Sequence, residues 1–206
     1  MNMETPFLYG RIAENENFTN RRNETEFLKK NFKGLINTVI ISPRRWGKAS
    51  LVHKVAKLIS EEEKDVIICQ VDIFNCRTEE EFYTVFANSL LKSTTTVWEE
   101  FVGGVKKYLG RLAPIVSISD ATQTYELSFG IEFKDSRLSY DEILDLPQVI
   151  ANDTKKRIVV YIDEFQNINE YEEPLAFQRK LRSHWQKHTS VCYCLYGSKR
   201  HMSVSY

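Results

Sequence analysis

No apolar run in this chain reaches the roughly 18 residues that a helix needs to cross a bilayer. The opening Met1-Asn2-Met3-Glu4-Thr5-Pro6 lacks the basic start and apolar core of a secretion signal. A membrane-spanning or secreted protein is therefore not expected, and the chain reads as a cytoplasmic domain. An excess of one charge is missing too. Lysine plus arginine and aspartate plus glutamate number 28 each, so no overall field draws in nucleic acid or an anionic membrane surface. Any contact with DNA would need a local patch. Cysteine is scarce. Cys69, Cys76, Cys192 and Cys194 are too few and too scattered for a disulfide framework in 206 residues. Cys192 and Cys194 stand two apart in a strand-like run, which puts both on one sheet face. With no second pair at ligand spacing they read as reduced core residues rather than as a metal site. Internal repeats, low-complexity tracts and coiled-coil heptads are also missing.

What is present is enough apolar side chain, 42% with 12% aromatic, to build one well-packed domain with at most a small appendage. Asn20 or Thr19 is placed to cap a helix over residues 21–32, with Phe27 and Leu28 on its apolar face. Leu35 to Ile41 is β-branched and apolar, and after Gly47-Lys48 the apolar residues from Leu51 to Ile59 fall at helical spacing. Val66 to Asp72 predicts a second strand. A helix from Glu79 to Leu91 comes next, with Thr78 and Glu81 as a capping box. A further helix is expected over Val97–Leu112. The signal then weakens as far as Ser139, except that Tyr125 to Phe133 alternates like a strand, which would make it an insertion or an edge strand. Asp141–Ala151 reads as a short helix, Ile158–Ile162 as a buried strand, Pro174–Lys187 as an amphipathic helix and Val191–Tyr196 as another buried strand. Strands alternating with helices imply an α/β three-layer sandwich with a mainly parallel central sheet.

The loop Ser42-Pro43-Arg44-Arg45-Trp46-Gly47-Lys48-Ala49-Ser50 sits between an expected strand and an expected helix. A loop that cradles phosphate needs backbone N–H groups, a helix N-terminus beneath the anion and a lysine that reaches the outer phosphates. Gly47-Lys48 stand where the second half of G-x-x-x-x-G-K-[ST] belongs. Ser42 replaces the first glycine, and Ala49 replaces the Ser/Thr whose hydroxyl binds magnesium. A basic surface turn is the competing reading of this stretch. The strand Ile158-Val159-Val160-Tyr161-Ile162 then runs into Asp163-Glu164. This is the Walker B pattern, in which the first carboxylate holds the metal and the second acts on the attacking water. Acids after a strand also start helices. The two motifs together, in this order and with a strand between them, favour nucleotide binding.

Pro43-Arg44-Arg45-Trp46-Gly47-Lys48, Asp163-Glu164-Phe165-Gln166-Asn167-Ile168 and Leu195-Tyr196-Gly197-Ser198-Lys199-Arg200-His201-Met202 resemble the archaeal-type ATPases, P-loop NTPases related to the AAA+ and STAND ATPases. Phe18 to Glu24 also resembles that family's segment near the adenine. The resemblance implies two parts. Residues 1–34 would pack near the nucleotide site, and residues 35–206 would form the P-loop core. It implies that Val191–Tyr196 lies between the Walker A and Walker B strands, with Ser198 as a sensor at its end. Relatives continue into a helical lid and a winged-helix domain, so the chain is expected to be an ATPase core cut before them. A homo-oligomer is implied for the longer form, and DNA contact only through the missing C-terminal domain.

The expected activity is magnesium-dependent ATP hydrolysis. ATP would be bound by Arg44, Arg45, Trp46, Gly47, Lys48, Ala49 and Ser50, the metal by Asp163, and catalysis carried by Glu164 and Ser198. Ala49 and the missing lid keep open a nucleotide-binding switch with little or no hydrolysis. Arg44 and Arg45 are either contacts to phosphate, a neighbouring subunit or nucleic acid, or solvated loop charges. Arg179 and Arg182 are either arginine fingers or a wet helix face. Trp185, Phe177 and Leu181 read as packing residues, and His53, His184, His188 and His201 offer no base–nucleophile spacing. Adenine over guanine is implied by the resemblance, since the guanine-reading N-K-x-D motif is not found.

Overall fold

Ile158 to Ile162 are all buried, as a strand with a layer on each face must be. The computed structural model describes residues 21–94, 113–118, 125–130 and 139–198. In chain order these form α1 (Arg22–Lys33), β1 (Thr38–Ser42), α2 (Lys48–Glu62), β2 (Val66–Asp72) and α3 (Glu79–Thr94). Next come β3 (Ala113–Ile118), β4 (Tyr125–Gly130), α4 (Tyr140–Thr154), β5 (Arg157–Asp163), a 3₁₀ turn (Phe165–Glu170), α5 (Pro174–Trp185) and β6 (Val191–Ser198). The main sheet has the order β1-β6-β5-β2 with every pairing parallel. The strand that ends at Ser198 therefore lies between the strand feeding the Ser42–Ser50 loop and the strand ending in Asp163.

Period-two alternation sorts the strand residues into two cores. Val159, Tyr161, Cys192, Cys194 and Tyr196 face α1 and α2, against Leu28, Phe32, Leu51, Val52, Val55 and Ile59. Ile158, Val160, Ile162, Val191 and Tyr193 face the opposite layer of α3, α4 and α5, where Phe82, Phe86, Ile150 and Trp185 are buried. The three-layer α/β sandwich holds. All four cysteines are free and buried, and burial pushes the thiols of Cys69 and Cys192 up to about 12. Phe177, Leu181 and Trp185 pack into the core as expected.

Local differences have physical causes. In α1, Thr25, Leu28, Asn31 and Phe32 make the buried stripe, which turns Phe27 outward to 65% exposure. Arg21 occupies the position before the helix without a side-chain cap, while Thr19 and Asn20 lie outside the described residues. β1 starts at Thr38 rather than Leu35, because residues 34–36 close the end of α1. Leu35 is left-handed (φ 53), and the N–H groups of Gly34, Leu35 and Ile36 donate to Lys30, Phe32 and Asn31. At α3, Thr78 Oγ1 accepts from Glu81 N (3.2 Å), yet the Glu81 carboxylate accepts from Arg77 N (2.6 Å), so only half of the expected box forms. Ser139 carries a full capping box onto α4 with Glu142. Tyr125–Gly130 pairs antiparallel with Ala113–Ile118 in a separate two-stranded sheet, so it is an insertion and not an edge of the main sheet. The helix expected over 97–112 lies outside the described residues.

Phe82 is fully buried, stacked on Phe86 (5.5 Å between centroids) and edge-on to Phe177 (5.1 Å). Phe82→Ala leaves a cavity between α3 and α5 and is expected to lower stability by about 3–5 kcal/mol in urea unfolding. A midpoint equal to the parent's would contradict this packing.

Candidate functional site

β1 ends at Ser42, and the chain turns through Pro43–Trp46 into α2 at Lys48. Arg45 (φ 63) and Gly47 (φ 68) are both left-handed, which folds the loop tightly over the helix start. A Cβ built on Gly47 meets nothing within 4 Å. The glycine thus serves the backbone angle, and the space beside it is open. α2 begins with no side-chain cap and no acid in its first turn, so the positive end of the helix is not neutralised by a local side chain and suits an anion. Lys48 Nζ lies across the strand end and donates to the carbonyls of Ser42 and Pro43 at 3.1 Å each. Burial lowers the pKa of its ammonium, and the charges of Glu164 and Asp163 oppose that. The loop lysine and the acidic pair, distant in sequence, therefore share one neighbourhood.

Asp163 closes β5, and its Oδ1 accepts from Glu164 N at 2.7 Å. Burial pushes its carboxyl up to about 6. The charges of Glu164 and Asp72 add to that rise, while the Glu164 N–H and the nearby Tyr196 hydroxyl oppose it. Asp72 ends β2 directly in register with Asp163, and its Oδ1 accepts from Phe74 N at 2.8 Å. Glu164 is left-handed (φ 53), and its carboxylate accepts from Gln166 Nε2. Gln166 Oε1 in turn accepts from Ser198 N at 3.1 Å. Ser198 is 4% exposed and pairs in register with Ser42. The hydroxyls of both serines are buried without a hydrogen-bond partner.

The sheet's carboxyl edge thus brings together Ser42, Lys48, Asp163, Glu164 and Ser198. Arg44, Arg45 and Trp46 stand exposed on the loop, with the Trp46 carbonyl accepting from Arg21. Ala49 packs against the α1–α2 core and Ser50 is buried. Arg179 and Arg182 do not join this edge; they line a groove beside Asn37, Thr38 and Val39, at the far end of β1 from the loop. His184 and His188 hold Asp145 between α4 and the end of α5, and His53 meets Tyr161. Sequence reasoning misses Asp72, Gln166 and Tyr196 as site residues. Asp72 carries the same signal as Asp163, an acid ending an apolar strand, and Gln166 lies inside the Asp163–Ile168 motif without a role.

Residues 46–173 match the KAP family P-loop domain. The chain belongs to that family of P-loop NTPases. The KAP match holds Lys48 and Asp163-Glu164, and it stops before α5 and β6. No curated protein matches the chain. Among solved structures, the chain resembles a Walker-type ATPase of Pyrococcus abyssi at 16% identity and a TM-score of 0.57, over 94% of this chain and 49% of that one. The ORC1 protein of Aeropyrum pernix, solved in complex with DNA, matches at 10% identity and a TM-score of 0.54, over 86% and 38%. The ADP form of the ORC2 protein of the same organism matches at 17% and 0.51, over 90% and 45%. The chain spans less than half the length of each, and the likeness shows a fold shared with archaeal ATPases.

The raised Asp163 carboxyl has a consequence for stability. Below about pH 4 both folded and unfolded chains hold this proton, between about 4 and 6 only the folded chain does, and above about 6 neither does. Stability from this group is therefore lost as pH rises through that window. Asp163→Asn, which cannot ionise against Glu164 and Asp72, is expected to gain on the order of 1–2 kcal/mol over the parent between pH 4 and 7 without nucleotide. Parallel stability profiles for the two proteins would contradict it.

Proposed function

We propose that this chain binds ATP with magnesium at the Ser42–Ser50 loop and hydrolyses it, at a rate held down by Ala49. The observation that carries this reading is the meeting of the Lys48 ammonium with Asp163 and Glu164 beside an uncapped helix start. The open space at Gly47 and the two unpartnered hydroxyls of Ser42 and Ser198 fit a polyphosphate at this edge. Lys48 would exchange its two carbonyl partners for the outer phosphates. The exposed Arg44, Arg45 and Trp46 would flank the nucleotide, with α1 close by through Arg21. Asp163 is the carboxylate for the metal, Glu164 orients the attacking water, and Ser198 reads the outermost phosphate. Magnesium, when bound, supplies charge neutralisation between phosphate oxygens. The donor set fits such an ion only loosely. Among the described residues no group of three or more His, Cys, Asp or Glu gathers to hold a metal, so water and phosphate must complete its shell. Adenine is preferred here over guanine on the family resemblance.

Ala49 removes the hydroxyl that would ligate magnesium. Ser50 is a poor substitute, because one helical step turns a side chain by about 100°, and here Ser50 is buried. Nucleotide affinity rests on Lys48 and the loop amides, whereas turnover rests on positioning and charge neutralisation. Ala49→Thr is therefore expected to raise magnesium-dependent phosphate release by roughly tenfold, about 1.4 kcal/mol of barrier, with a smaller change in ATP affinity. A parent that already matches the variant across a magnesium titration would show that the metal site is not impaired.

A further inference from the structure

We propose that Gln166 is a positioning residue, which orients the Glu164 carboxylate and ties it to the end of β6. This rests on the reading of Glu164 as the group that orients water. Gln166 is 5% exposed, and its amide is fixed at both ends: Nε2 donates to the Glu164 carboxylate, and Oε1 accepts from Ser198 N at 3.1 Å. The reversed amide would set an oxygen against the carboxylate and an NH₂ against an N–H, so only this orientation satisfies both partners. Glu164 meanwhile occupies a left-handed backbone conformation that a residue with a side chain seldom adopts and that persists only where surrounding contacts hold it.

Two further features serve the same contact. A Cβ on Gly197 would fall 1.9 Å from Gln166 Oε1, so the glycine before Ser198 lets the amide lie against the β6 backbone. On the other side Asn167 Nδ2 donates to the Phe74 carbonyl at 3.0 Å, fixing the 3₁₀ turn to the segment that leaves β2. Glu164 is thus held between the ends of β6 and β2. A shift of the β6 end, which carries Ser198, passes through one buried amide to the Glu164 carboxylate.

The test compares the parent chain with Gln166→Met, Gln166→Glu, Gly197→Ala and Glu164→Gln, each first confirmed as folded by circular dichroism. Titration with ATP and magnesium gives affinity, and phosphate release gives kcat and KM. The two Gln166 variants and Gly197→Ala are expected to bind ATP within about twofold of the parent and to lose about tenfold or more in kcat, with KM little changed. Gln166→Glu nearly preserves shape, and it decides the matter should Gln166→Met or Gly197→Ala fail to fold. Parent-like kcat in the folded Gln166 variants, with Glu164→Gln inactive, overturns the positioning role and leaves the reading of Glu164 in place. Turnover by Glu164→Gln equal to the parent, or a parent that binds ATP without releasing phosphate, overturns that reading itself and this proposal with it.

Discussion

The site depends on one constraint, the parallel pairing of β1, β6 and β5. In a parallel sheet every strand delivers its carboxyl end to the same edge, so the loops leaving the strands assemble there however far apart they lie in sequence. Ser42 comes level with Ser198, and Asp72 level with Asp163. Had β1 or β5 alone run the other way, the Lys48 loop and the Asp163-Glu164 pair would sit at opposite ends of the domain. The order β1-β6-β5-β2 adds a second condition, because it wedges Ser198 between the lysine and the acids. The two cores, one on each face, hold that order through residues far from the edge itself.

At the edge the chain places like charges at close quarters and leaves polar atoms without partners. Burial and the charges of Glu164 and Asp72 raise the cost of ionising Asp163, the Lys48 ammonium is partly desolvated, and two serine hydroxyls are buried without hydrogen bonds. Such an arrangement is unfavourable for the fold alone. The proposed metal–nucleotide complex, which brings an anion and a cation together, would offset that cost.

Much of this is legible in the sequence, because it depends on local signals. The apolar runs of β5 and β6 specify strands buried on both faces, β2 reads as a strand with one fully buried face, Gly47-Lys48 marks a helix start, and Asp163-Glu164 a strand end. Less legible is the part that depends on partners distant in the chain. Phe27 turns outward because the helix stripe is set by Leu28 and Phe32 meeting α2, and an isolated helix gives no reason to choose. Leu35 and Ile36 look like strand but are used to end α1. The β3–β4 pairing is hidden because one of its two strands carries little alternation. Gln166 gives no sign of its contacts, since a glutamine two residues from an acid is unremarkable until Ser198 and Gly197 are brought beside it by β6.

In the proposed function the Ser42–Ser50 loop holds a nucleotide through Lys48. Calorimetric titration of the parent chain and Lys48→Ala with ATP, ADP and GTP, with and without magnesium, tests it most directly. Saturable binding of ATP and ADP by the parent, weaker binding of GTP, and no measurable ATP binding by Lys48→Ala are expected. Equal ATP affinity in the two proteins, or none in the parent, would contradict it.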